Sequence, residues 1–243
     1  MERAKYFILI FMLFGASVTA QTDYKTEIYN AFINNNMPKW KTTIDKMNLQ
    51  RTKTNDFILE LLNYQYGYIA WCIGNDYTNV AETYLEMATK NVENLEEQNF
   101  KLSYVNSYKS ALYGFEIGLA WYKAPFLGPE SITFAETAMN LDKTNPFGFI
   151  QYANAQYYMP ETFGGSKTLA LEYYIKALLI MEDDENYTTK NWNYISLLTT
   201  IAQAYTETGN YKSAKDYYEK ILKLEPNYSW VKNELYPELL KKL

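Results

Sequence analysis

Acid–base and nucleophilic catalysis need side chains that this chain largely lacks. Its 243 residues include no histidine. That removes His general bases, Ser-His-Asp and Cys-His arrangements, and His-ligated zinc. Cys72 is the single cysteine, so an intrachain disulfide cannot form and no histidine is present to activate the thiol. It follows Ile69, Ala70 and Trp71 in an apolar helical stretch, where it reads as a small buried hydrophobe. Carboxylates alone can run acid–base chemistry, and Asp183, Asp184 and Glu185 are adjacent. They lie in a polar stretch between helical patterns and read as a solvated loop. The sequence offers no catalytic set, no metal-ligand set and no cofactor motif.

What the chain has in quantity is aromatic surface, with 25 Tyr, 12 Phe and 5 Trp. Such side chains either pack between helices or present stacking faces to a ligand. The turn Phe163-Gly164-Gly165 is a second candidate contact. Paired glycines can expose backbone N–H groups to a ligand or make a tight approach to a helix starting near Ser166.

These residues must be positioned by helices. Apolar positions recur at helical spacing along the chain, and breakers divide the pattern into pairs. The first pair spans 24–33 and 38–47, around the turn Asn34-Asn35-Asn36. The second spans 57–73 and 79–92, around Gly74-Asn75-Asp76. The third runs over 102–121 and 129–141, with Pro125-Phe126-Leu127-Gly128-Pro129 as its turn. The fourth begins with 146–159, opened by Pro146 at a tolerated first-turn position, and turns through residues 160–165. From Ser229 a capping helix is expected, interrupted at Pro237. There is no strand-like alternation and no linker that would divide the chain.

The most regular pair occupies 198–226, L-T-T-I-A-Q-A-Y-T-E-T-G-N-Y-K-S-A-K-D-Y-Y-E-K-I-L-K-L-E-P. It resembles a tetratricopeptide repeat, a helix–turn–helix unit of about 34 residues. Ile201 and Ala202 take the Leu-Gly positions and Tyr205 the following aromatic. Gly209 and Tyr211 form the turn, Ala214 and Tyr218 the second-helix pair, and Pro226 the terminal proline. Leu198 stands where Trp is usual and Ile221 where Ala is usual. Ala170, Tyr174 and Ala177 repeat the second-helix spacing one unit earlier. One such unit cannot bury its apolar face alone, so the resemblance implies an all-α solenoid of tetratricopeptide-like hairpins. It would be a right-handed superhelix of about five hairpins plus a C-terminal cap helix.

In this family the first helices line the concave face that usually holds the partner. With Ala153 equivalent to Ala202, the resemblance places Ile150, Asn154, Tyr157 and Tyr158 on that face in one repeat. The next repeat contributes Thr199, Gln203, Thr206 and Glu207. Neither set has the Lys and Asn pattern that clamps a peptide carboxylate. Asn154, Tyr157, Tyr158, Phe163, Gly164 and Gly165 are therefore the candidate partner- or ligand-binding residues. The Pro-x-x-x-Gly-Gly insert also looks like repeat subunits associated with some tripartite periplasmic transporters, over a few residues only.

Residues 1–20 read as a cleaved export leader, leaving 21–243 as one domain. Arg3 and Lys5 make a positive start, residues 6–14 an apolar run, and Val18-Thr19-Ala20 a small-residue cleavage site. The alternative is a retained anchor, but the run is short of the ~20 residues a bilayer needs. No cysteine near Ala20 supports lipid attachment. Without the leader, 21 basic and 27 acidic residues remain, a net charge of −6. A mildly acidic, mixed surface argues against nucleic acid and anionic membranes as partners. The expected function is a non-enzymatic periplasmic or secreted repeat protein that binds a protein or peptide. The alternative is a small-molecule or transport-accessory protein using the aromatic face and the Gly164-Gly165 loop.

Overall fold

The computed structural model describes residues 23–243; the leader assigned to 1–20 lies outside them. Ten helices form five antiparallel hairpins. They are α1 (Tyr24–Ile33) with α2 (Met37–Asn48), α3 (Asn55–Gly74) with α4 (Thr78–Glu97), and α5 (Leu102–Leu119) with α6 (Ala124–Leu141). Then come α7 (Pro146–Tyr158) with α8 (Lys167–Glu182) and, after the single-turn α9 (Glu185–Thr188), α10 (Trp192–Glu207) with α11 (Tyr211–Leu224). A π-helical turn (Val231–Leu235) and α12 (Tyr236–Leu240) cap the chain. No strand occurs among the described residues. The fold is an all-α, tetratricopeptide-like stack of helical hairpins.

The same local chemistry makes most of the turns. Asn35, Asp76, Asn99 and Gly209 each adopt a left-handed conformation, with φ of 52°, 60°, 52° and 78°. The next N–H then reaches back five residues: Asn36 to Ala31 O at 2.7 Å, and Tyr77 to Cys72 O, Phe100 to Leu95 O and Asn210 to Tyr205 O at 2.9 Å. This is a Schellman closure, which satisfies carbonyls the ending helix leaves open. Asn36 and Asn210 go on to cap the following helix through their side-chain oxygens. Small residues then let the helices approach. Ala81, Ala88, Ala135, Ala138, Ala153, Ala170, Ala177, Ala202 and Ala214 are all fully buried, and the large side chains pack around them.

Two expected breaks fall elsewhere. The turn assigned to residues 125–129 is the start of α6, which runs straight through Pro129. The chain bends earlier, at Ala120 (φ −145°) and a 3₁₀ turn over Trp121–Lys123. Pro125 is in the first helical turn, where no N–H is required. Pro129 leaves only the carbonyl four residues back without a donor, and Pro125 is solvent-exposed, so water can serve it. The capping helix likewise continues past Pro237. The π turn, in which Tyr236 N–H bonds to Val231 O, takes up the mismatch created by the missing proline donor.

The first hairpin packs against the last. Tyr29 Oη donates to Glu225 Oε1 at 2.5 Å and Ser229 Oγ to the Ile33 carbonyl at 3.4 Å. Phe32 lies 5.2 Å from Tyr228 and 5.8 Å from Trp192, ring centre to ring centre. A helical stack whose ends meet in this way covers its own inner face.

Candidate functional site

Trp192, the first residue of α10, reaches the inner face of the stack. Its ring meets Trp40 edge-on at 5.0 Å and lies 6.1 Å from Tyr66. Its Nε1–H donates to Asn63 Oδ1 at 2.8 Å, and Asn193 Nδ2 donates to the same oxygen at 3.1 Å. Asn63 Nδ2 in turn donates to Tyr108 Oη at 3.0 Å. Gly67 makes room for this contact. A Cβ there would stand 2.7 Å from both the Trp192 and the Trp40 ring carbons, so a side chain and the indoles cannot share the space. Beside it Tyr66 stacks on Phe115 at 5.3 Å and meets Phe147 edge-on at 5.1 Å. What remains open between Tyr66, Phe147, Asn154, Tyr174 and Trp192 is a cavity of about 40 Å³. Drug-sized ligands occupy pockets of about 300–1,000 Å³, so this interior holds side chains and little else.

Asn154 belongs to that interior. Its Oδ1 accepts from Tyr174 Oη at 2.7 Å, and its Nδ2 donates to Gln151 Oε1 at 3.1 Å and to Tyr66 Oη at 3.4 Å. Burial pushes the Tyr66 hydroxyl above its ordinary value, while the Gln151 and Asn154 donors act in the opposite sense. Ile150 and Thr199 are buried as well, the latter with its hydroxyl on the Ile195 carbonyl. Gln203 and Thr206 are half-buried and Glu207 is exposed.

Tyr157 and Tyr158 stand at the outer end of α7. Tyr158 is 76% exposed and meets the half-buried Tyr157 edge-on at 5.0 Å. Lys167 Nζ lies 5.5 Å above the Tyr157 ring and pairs with Glu207 at 2.6 Å. Burial and then the neighbouring Glu207 push the Tyr157 hydroxyl well up. Burial acts to raise the Glu207 carboxyl, but the Lys167 and Tyr157 hydrogen bonds outweigh it and leave the group below its ordinary value. A 3₁₀ turn (Glu161–Phe163) follows, and Phe163 is 78% exposed.

Gly164 and Gly165 serve the turn geometry. Gly164 has φ +98°, and a Cβ on Gly165 would lie 1.9 Å from the Met159 carbonyl oxygen. The N–H groups of Phe163, Gly164, Gly165 and Ser166 bond to Pro160 O, Glu161 O, Pro160 O and Gln156 O at 2.9, 2.9, 3.2 and 3.0 Å. Ser166 Oγ then caps α8 by accepting from Leu169 N–H. The amides of this loop are engaged internally, and what it offers outward is the Phe163 ring.

The sequence-selected residues thus divide in two. Tyr157, Tyr158 and Phe163, with Gly164 and Gly165 shaping the turn, form one outer edge; Asn154 joins the inner network. Sequence reasoning missed the closure made by Asn63, Tyr66 and Trp192. Gly67, in the interior of an apolar and aromatic helix, was the available signal, since a helical glycine often marks a close approach. The signature residues fall where a hairpin needs them. Ala170, Tyr174, Ala177, Ala202, Ala214 and Tyr218 are buried; Tyr205 and Tyr211 are half-buried, Gly209 makes the left-handed turn, and Pro226 follows α11 in solvent. Asp183, Asp184 and Glu185 are exposed, with Asp184 capping α9. Cys72 is free and fully buried, and burial raises its thiol. No group of three or more His, Cys, Asp or Glu side chains is placed to hold a metal ion among the described residues. None of the described helices is long and apolar enough to cross a membrane.

Comparison with known proteins places this architecture in a class. Residues 195–228, the α10–α11 hairpin, match the tetratricopeptide repeat family, which is a repeat family and not a catalytic one. The chain is a tetratricopeptide-like helical repeat protein. No curated protein matches it by sequence. Among solved structures, the HusA haemophore from Porphyromonas gingivalis has a similar fold, with a TM-score of 0.59 and 16% identity over 76% of this chain and 90% of that one.

Proposed function

We propose that this chain is a non-enzymatic binding protein, exported to the periplasm or secreted after removal of residues 1–20, that recognises a protein or peptide partner through its outer surface. The observation that carries this reading is the pairing of a self-filled interior with exposed rings at the α7–α8 edge. Tyr158 and Phe163 are open to solvent, while the inner cavity is about 40 Å³. Exposed aromatic side chains are common energetic anchors of protein interfaces. The match of the last hairpin to a repeat family known for extended recognition surfaces supports the same reading.

The test is crosslinking and pull-down with the mature chain at native expression, beside a Tyr158→Ala/Phe163→Ala double variant. A specific partner captured by the unaltered chain and lost by the variant is the expected result. Equal recovery by both chains, or no specific partner, overturns it.

A second reading is small-molecule binding. The fold likeness to a haemophore and the aromatic lining around Trp192 favour it, and the ligand would be a flat, largely apolar molecule held among rings. The seam at Trp192 would have to open to admit it. Titration with haemin, followed by tryptophan fluorescence, is the check; the absence of saturable quenching ends this reading.

A further inference from the structure

The corner between α5 and α6 exposes three aromatic rings within six residues: Trp121 at 82%, Phe126 at 77%, and Tyr122 at 65%. Trp and Phe are normally drawn into the core, and none of these three rings packs on another aromatic ring among the described residues. Contiguous exposed apolar surface in a soluble chain commonly marks an interaction site. Tyr122 lies in the 3₁₀ turn and Phe126 in the first turn of α6.

Tyr122 also forms one wall of an open cleft of about 520 Å³. The opposite wall is one stripe of α4: Glu82, Leu85, Glu86, Thr89, Lys90 and Glu93. The floor and near wall come from Glu116, Leu119, Ala120 and Lys123. Four carboxylates and two ammonium groups give the lining a net charge of −2. Both lysines are already engaged, Lys90 with Glu86 at 2.6 Å and Lys123 with Glu116 at 2.8 Å. Glu82 and Glu93 have no ion-pair partner among the described residues.

We propose that this cleft and its aromatic rim bind an extended segment of a partner protein that carries Lys or Arg beside aliphatic residues. The unpaired carboxylates call for cations on the partner. Trp and Tyr faces attract the same ammonium and guanidinium groups by cation–π interaction, and Leu85, Leu119 and the rings accept the intervening apolar side chains. The lining follows α4 from Glu82 to Glu93, about 16 Å of helix, a run that suits a chain segment better than a compact ligand. Charge separates this occupant from the other candidate for an aromatic patch, a membrane: carboxylates facing the surface repel anionic headgroups. The cleft lies on different helices from Tyr158 and Phe163, so it stands or falls independently of the reading above.

The experiment uses the mature full chain and a short fluorescein-labelled peptide of alternating arginine and leucine, read by anisotropy. Matched peptides replace arginine by glutamate or leucine by serine. The expected result is saturable binding of the Arg-Leu peptide alone, weakened about tenfold or more by Trp121→Ala/Tyr122→Ala and by Glu82→Gln/Glu93→Gln. Circular dichroism melts should be unchanged, because all four side chains lie outside the core. An Asp183→Asn/Glu185→Gln variant removes the same charge elsewhere and should bind like the unaltered chain. If that control loses affinity equally, the attraction is bulk charge and the proposal fails. It also fails if the cleft variants bind normally. Binding of the chain to phosphatidylcholine vesicles that Trp121→Ala abolishes, without peptide binding, would overturn it in favour of a membrane contact.

Discussion

Trp192 Nε1–H donates to Asn63 Oδ1 at 2.8 Å although the two residues are 129 positions apart. The bond ties the start of the last repeat to the second hairpin and holds the indole over the inner face. Replacing Trp192 by Ala removes a buried ring and the donor together, and should cost about 3–5 kcal/mol. Trp192→Phe keeps most of the packing, and Asn63 still accepts from Asn193 at 3.1 Å, so a loss of about 1–2 kcal/mol is expected. Urea unfolding of the two variants checks the order. Equal losses would mean that the ring contributes nothing beyond its hydrogen bond.

Gly67→Ala acts on the same seam from the other side. The new methyl would meet Trp192 and Trp40 carbons at 2.7 Å, inside van der Waals contact. Overpacking of this kind costs about 1–3 kcal/mol, against a gain of under about 1 kcal/mol in helix propensity. The variant should therefore be less stable, with a red-shifted tryptophan emission as the indoles are pushed toward solvent. Unchanged emission with raised stability would show that the rings have slack to move.

Gly164 and Gly165 give a prediction that separates two uses of glycine. Gly164→Ala strains a backbone at φ +98° but meets nothing within 4 Å, so a loss of about 1–2 kcal/mol is expected. Gly165→Ala drives a methyl to 1.9 Å from the Met159 carbonyl oxygen, which only a backbone shift can relieve. It should cost more than Gly164→Ala and raise hydrogen exchange at Gly165 and Ser166, whose amides bond back to Pro160 and Gln156. A larger loss at Gly164 would reverse the assignment.

The hairpins were legible because their cause is local. Alanines at fixed spacing, Asn or Gly at the turn and a side-chain cap three residues before the next amide each act within one or two helical turns. The misplaced turn at 125–129 shows the limit. Two prolines and a glycine in five residues read as a break, but Pro125 falls in a first turn and Pro129 costs a single hydrogen bond on an exposed face. The closure at Trp192 was not legible, because it joins residues more than a hundred positions apart. The tyrosines of the inner network look the same in sequence as those on the outer edge. Asn154 is held inward by Tyr174 of its own hairpin and Tyr66 of the second, while Tyr158, at the end of α7, is left exposed.

The buried tyrosines set the alkaline limit of stability. Burial raises the hydroxyls of Tyr66, Tyr108 and Tyr174 above the ordinary value of 10, and burial and then Glu225 raise that of Tyr29. A raised value means that the folded chain holds the proton more tightly than the unfolded one. That contribution is complete below pH 10, and it falls as pH climbs above 10 because only the unfolded tyrosines ionise there. The tyrosine contribution should thus be flat with pH up to about 10 and then decline, by at most about 1.4 kcal/mol per pH unit for each such tyrosine. Tyrosinate absorbance should rise in more than one phase. A later phase should coincide with the loss of helical ellipticity. A single absorbance phase near pH 10, completed while the helices remain intact, would show that these hydroxyls reach water in the folded chain and that the inner face is open.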